Sequence, residues 1–267
     1  MNRALALLGK ELIDLRQNLA IFLPAMIVTV IAVLMPVFVA VIVPAVTGEQ
    51  LSDSSDLEIA IEMYKKDPSM RALEPEAAIQ AYVFQYFLVM LVLGPITSAM
   101  SVAASSVISE KQARTLEPLL VTPITTFELL AGKLLGALLP ALGLSVISIV
   151  LYLGVIAGAA HDGVFAALLS PRTLGVIFLI GPLAAMVALQ LAMCVSSRVN
   201  DARTAQQLGV FVILPIPALM IGQMFGGIEL TVPVIVWVAL GLLMVNAGLA
   251  RVAIRLFDRE TILTRWK

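Results

Sequence analysis

Ser109–Leu130 reads SEKQARTLEPLLVTPITTFELL, a polar island with five charged residues and two prolines set between long apolar runs. On one side Ala77–Ser109 carries no charge, and on the other Leu134–Ala160 carries none. Working outward, the same holds for Gln17–Gly48, Thr173–Ser197, Thr204–Ile228 and Leu230–Ala250. Each run reaches the roughly 20 residues that a helix needs to cross about 30 Å of hydrocarbon. Composition agrees: 60% of residues are hydrophobic and 13% charged, with mean hydropathy +1.02, where a soluble domain carries about 25% charged residues. The expected fold is an all-α integral membrane domain covering 1–267. Its six transmembrane helices fall at about 19–46, 81–108, 132–158, 173–196, 206–226 and 231–250. Only a few residues divide the last two, so a re-entrant pair is the competing reading there.

Lysine and arginine counts set the orientation. With the N-terminus inside, thirteen basic residues face the cytoplasm, Lys10, Lys111 and Lys133 among them, and Lys65, Lys66, Arg71 and Arg172 stay outside. That bias predicts both termini cytoplasmic, as in a bacterial or archaeal inner-membrane protein. The external loop 47–80 holds eight acidic and three basic residues and reads as a solvated acidic cap. The first apolar run is far longer than the ~7–15 residues of a signal-peptide core, which predicts a crossing and no cleavable leader. Cys194 is the only cysteine and His161 the only histidine, so no disulfide framework or metal site is expected. Nucleic acid is not an expected partner.

Residues 1–18 precede the first crossing. Leu5, Leu8, Leu12, Leu15 and Leu19 fall within about 80° on a helix of 3.6 residues per turn. Arg3, Lys10, Asp14 and Gln17 take the opposite face. This is the pattern of a helix lying in the cytoplasmic interface of the bilayer, or packed against another protein. In the tail 251–267, Arg251, Arg255 and Arg259 share a face near the headgroups.

No acidic or basic side chain lies deep in a span, which weighs against proton relays, voltage sensors and intramembrane proteases. Gly94-Pro95, Gly181-Pro182 and Pro215/Pro217 can each interrupt a helix, as kinks or as the unwound ion site of a secondary carrier. Gly94, Ser98, Ser101 and Ser105 lie within about 60° of one another; this is a close-packing face, a dimer contact or a polar strip along a pathway. Gln206, Gln207 and Gln223 are the further polar candidates for a pathway. The chain has no phosphate-binding G-x-x-x-x-G-K-[ST] loop: Leu134 follows Gly132-Lys133 where a hydroxyl residue is required. No catalytic residue is expected. An internal echo also runs through the chain. Gly94-Pro95 and Gly181-Pro182 are each followed by Ser-Ser and then by Ala-Arg-Thr, at 113–115 and 202–204. It marks Ser196–Gln207, with Arg198, Asp201 and Arg203, as a second, smaller cytoplasmic contact.

The stretch EKQARTLEPLLVTPITTFELLAGK, Glu110–Lys133, resembles the segment between spans two and three of ABC-2-type transporter permeases. Further matches are Lys10-Glu11-Leu12, the run SSRVNDARTAQQ at 196–207 and RLFDRETIL at 255–263. The resemblance implies one interfacial helix and six spans, and a dimer with a second permease protomer, identical or related. It also implies two copies of an ABC ATP-binding subunit, with ATP and magnesium bound there and no cofactor on this chain. Within 109–130, Glu110–Thr122 then contains the coupling helix that enters the ATPase. Local chemistry agrees: Thr115 can cap a helix with Pro118 in its first turn. Leu116, Leu119 and Leu120 form an apolar ridge; Glu110, Lys111, Arg114 and Glu117 form a charged rim, and Thr122 and Pro123 close the segment. A surface loop without a partner is the plainer alternative. Several relatives carry a much larger external domain where about 34 residues stand here, and the family's cargoes span drugs, lipids, polysaccharides, peptides and ions. The function expected is an ATP-driven exporter permease; a secondary carrier or a non-transporting membrane anchor are the alternatives.

Overall fold

The computed structural model describes residues 2–48, 51, 73–113, 125–199, 201–224 and 230–257. Its longer helices are α1 (Asn2–Gln17), α2 (Leu19–Thr47), α3 (Pro75–Gln112), α4 (Thr126–Ala159), α5 (Pro171–Ser196), α6 (Ala202–Ile213), α7 (Pro215–Met224) and α8 (Val232–Leu256), with one short turn of helix, Val164–Leu168, between α4 and α5. Five of them, α2, α3, α4, α5 and α8, are long and apolar enough to cross a membrane. The run expected as a crossing at 206–226 is divided into two helices, α6 and α7, at Leu214. Pro215 and Pro217 explain the break, since neither has an N–H to return to the preceding turn. At 1.5 Å per residue these helices are about 18 and 15 Å long, each shorter than the hydrocarbon layer. Helix α3 begins at Pro75, six residues before the expected start of the second span.

Helix ends follow local chemistry. Gly48 closes α2 in the left-handed region, φ 72°, with its N–H on the Pro44 carbonyl at 2.9 Å. Thr125 opens α4 with a capping box: its hydroxyl accepts from the Glu128 N–H at 3.2 Å, and the Glu128 carboxylate accepts from the Thr125 N–H at 2.9 Å. Ser170 caps α5 through the Thr173 N–H, with Pro171 in the first turn.

The bundle has an inner pair and an outer ring. Of the best apolar window in each span, 78% is buried in α3 and 61% in α5, against 28%, 22% and 17% in α2, α4 and α8. Small residues permit this. Ala99, Ala104, Ala185, Ala188 and Ala192 are fully buried where α3 and α5 run side by side. The outer helices turn Met26, Val30, Ile31, Val146, Val150, Trp237 and Met244 outward, as lipid-facing helices do. Gly175 of α5 sits against Ile235 of α8, and Gln190 donates to Asn246 at 3.0 Å. These two contacts make α5 and α8 run in the same direction, so α6–α7 carry the chain back to the end where α8 begins.

At that outer end, buried Gln80 of α3 ties three segments together. Its Nε2 donates to the Ala40 carbonyl at 3.0 Å, and its Oε1 accepts from the His161 N–H at 2.8 Å. Ala40 lies in a π-helical turn, Phe38–Ile42, just after Pro36 of α2. Nearby, Tyr152 of α4 donates to the Phe84 carbonyl at 2.6 Å.

Candidate functional site: the inner end of the bundle

At the opposite end, α1 lies on α4. Among the described side chains of α1, those that turn inward are Leu7, Glu11 and Leu15, one per turn. They meet a groove made by Gly132 and Gly136. A Cβ on Gly132 would stand 2.6 Å from Leu7 Cδ2, and one on Gly136 would stand 2.8 Å from Glu11 Cβ. Glycine is required here because α1 approaches so closely. Leu12, Ile13 and Leu19 remain exposed, so part of the expected leucine face is free for the bilayer. The helix packs on its own chain, and its buried seam includes an acid.

That acid has a partner far along the sequence. Lys133 Nζ lies 3.0 Å from Glu11 Oε1 and 2.6 Å from Glu110 Oε2, and its side chain is 2% exposed. Ser106 Oγ accepts from Lys133 at 2.9 Å and donates to Glu11 Oε2 at 2.8 Å. Lys10 Nζ donates to Glu110 Oε1 at 2.5 Å and lies 4.0 Å from Asp14. Burial works against the Lys10 ammonium, but the Glu110 hydrogen bond and the charges of Glu110, Glu11 and Asp14 outweigh it. Together they hold Lys10 above its ordinary 10.5. Two lysines thus face Glu11 and Glu110, with Ser106 filling the remaining valence. Pairing of this kind is what makes buried charge tolerable.

The node fixes both roots of the polar island. Glu110 is three residues from the last described residue on the α3 side, Ala113, and Thr125 is the first described residue on the α4 side. Arg114, Thr115, Leu116, Glu117, Pro118, Leu119, Leu120, Thr122 and Pro123 lie outside the described residues. Glu110 itself requires a correction: it is buried inside the chain and spends its charge on Lys10 and Lys133, so it is not part of an exposed rim.

Lys111 reaches sideways. Its Nζ donates to the carbonyls of Val199 at 3.3 Å and Ser197 at 3.5 Å, and Ala205 of α6 is buried against Ala104 and Ile108 of α3. The two echoed polar segments, 109–113 and 196–207, are therefore neighbours at one end of the bundle. Arg198, Asp201 and Arg203 are exposed there. Asp201 caps α6 by accepting from the Thr204 N–H at 3.0 Å. That hydrogen bond holds its carboxyl below the ordinary 3.8.

The expected dimer or pathway face divides. Gly94, Ser98 and Ser101 are buried within the chain, Gly94 so close to α2 that a Cβ would meet Thr29 Oγ1 at 2.6 Å. For these three, packing inside the protomer replaces the expectation of an outward face. Ser105 is half-buried and lines a cleft of about 550 Å³ with Lys10, Asp14, Asn18 and Ser109. Gln206 and Gln207 lie near the start of α6, whereas Gln223 is buried near the end of α7, beyond the break. They do not form one polar site. Sequence reasoning missed the importance of Glu11, Ser106 and Lys133; the available signal was a lysine standing one residue before a charge-free run.

A family model described as ABC-2 family transporter protein matches residues 65–250. No curated protein and no solved structure matches the chain.

Proposed function

The chain belongs to the ABC-2 family of transporter proteins, and on that premise we propose that it is the permease subunit of an ATP-driven exporter. It is an integral, multi-pass membrane protein and a membrane transport component that is not itself catalytic. Membership implies an ABC ATP-binding subunit as partner. In the proposed assembly two permease protomers, identical or related, join two ATP-binding subunits in an inner membrane, with both permease termini cytoplasmic. ATP and magnesium are held by the partner. The segment 109–130 docks on that partner, and Ser196–Gln207 adds a second contact.

The observation that carries this reading is the node itself. A surface loop without a partner needs no buried, fully paired charges at its roots; a segment that transmits force does. With Glu110 joined to Lys133 and Glu11, displacement of the segment moves α3, α4 and α1 together. Because Lys111 bonds the Ser197 and Val199 carbonyls, the start of α6 follows. Closure of the two ATPase subunits would then rock the bundle between inward and outward states.

Affinity purification of the tagged full chain from membranes tests this. An ATP-binding-cassette subunit is expected to co-purify. Changing Leu116, Leu119 and Leu120 together to Glu should abolish its recovery while leaving the permease inserted. Undiminished recovery of the complex with all three changes would overturn the docking assignment.

A further inference from the structure

Three interruptions of regular helix line one cavity. Val89 and Val92 come from a 3-10 turn of α3 just before Gly94-Pro95. Val176 and Ile180 come from a π-helical turn of α5 just before Gly181-Pro182. Pro215 and Ile216 stand at the break between α6 and α7. The cavity they bound, closed on its far side by α8, holds about 410 Å³, within the ~300–1,000 Å³ range of ligand sites. Irregular backbone at membrane depth is uncommon, and where it occurs it lines a cavity or a functional site. Convergence of three such segments on one space is an independent reason to regard that space as built.

From this geometry we infer a binding site for a single acyl chain of a bilayer phospholipid, entering past the exposed Phe211 of α6 and Val245 of α8. Its described lining residues are Val, Ile, Leu, Ala, Phe and Pro only. A water would need two to four polar partners and an ion several oxygen ligands; these side chains offer none. A helix of a second copy is too thick. At about 10 Å across it occupies roughly 800 Å³ for every 10 Å of length. A hydrocarbon chain is thin, matches the lining and is the neighbour that the surrounding bilayer supplies. Lipid tails are as apolar as leucine, so occupancy rests on filling a void with dispersion contacts and not on expelling water. The site therefore exchanges its chain with the bilayer instead of holding it permanently. This inference stands on the cavity alone and does not require the exporter assignment.

The test uses the full chain reconstituted in phospholipid vesicles doped with a phosphatidylcholine bearing a photoreactive diazirine near the end of one acyl chain. Cross-linked residues are then mapped by mass spectrometry. The outward α2 residues Met26, Val30 and Ile31 report ordinary lipid contact. Labelling at Val176, Ile180 and Ile216 is expected to exceed that reference. Ala184→Phe, which grows into the cavity, should abolish the excess while leaving the α2 labels intact. Val245→Phe at the half-exposed mouth should do the same if Ala184→Phe does not fold. Labels no denser than on α2, or unchanged in a folded filled variant, would overturn the proposal. So would a cross-link between two copies of the chain through Phe211, which would assign the mouth to a second protomer.

Discussion

The inner end of the bundle and its centre solve opposite problems. At the inner end, Glu11, Glu110, Lys133 and Lys10 are clamped by ion pairs of 2.5–3.0 Å, and α1 is seated on two glycines. At the centre, three proline-associated interruptions surround a cavity with apolar walls. One region has its geometry over-determined by charge; the other gives up backbone regularity. The contrast teaches where a membrane bundle can deform. In the proposed coupling, displacement applied to the charged end would pass along the regular stretches of helix and be absorbed at the interruptions.

The strongest way to break this contrast is Lys133→Met. It removes the Lys133 partner of both Glu11 and Glu110, and breaking a buried pair costs about 3–5 kcal/mol. Thermal unfolding of the detergent-solubilised chain should drop accordingly, and adding Glu11→Gln should recover part of the loss. An unchanged unfolding midpoint would mean that the node is not a clamp. A smaller effect is expected from replacing Pro215 and Pro217 together by Ala. Proline at a compatible position contributes only about 0.4–1 kcal/mol, so stability should change little. Amide hydrogen exchange over 211–217 should slow as α6 and α7 become continuous. If exchange is unaltered, packing and not proline imposes the break. The smallest effect belongs to Asp201→Ala. Faster exchange should be confined to the first turn of α6, with the node untouched. The Thr204 N–H holds Asp201 below its ordinary 3.8, so its capping contribution is complete above that pH and fades as pH falls below it. The variant should show no such acid sensitivity at α6.

Much of the fold was legible because the bilayer imposes length and charge exclusion directly on sequence. The charge-free runs locate α2, α3, α4, α5 and α8, and Pro215/Pro217 mark the discontinuity within the remaining run. The polar island and its echo at 196–207 were also visible, although their adjacency was not. What periodicity could not supply was the phase of α1. Its leucines outline a lipid-facing stripe, but the buried seam is Leu7, Glu11 and Leu15. A carboxylate reads as surface until its counter-charge, Lys133, arrives from 122 residues away. The small-residue face of α3 stayed ambiguous for a related reason. Small polar residues look the same on a helix whether they face a pathway or a neighbouring helix of the same chain. The burial of Ser98 and Ser101, with the Thr29 contact at Gly94, decides between them.

One dimension of α3 carries a mechanical consequence. Its 38 residues span about 57 Å, nearly twice the hydrocarbon thickness. Gln80 tethers it near one extremity, and the Glu110 pairs grip it near the other. A tilt of only about 5° at the tether sweeps the far tip, about 48 Å away, through about 4 Å. Such leverage means that a small lean of the membrane-embedded part of α3 goes with a much larger displacement at its Glu110 end.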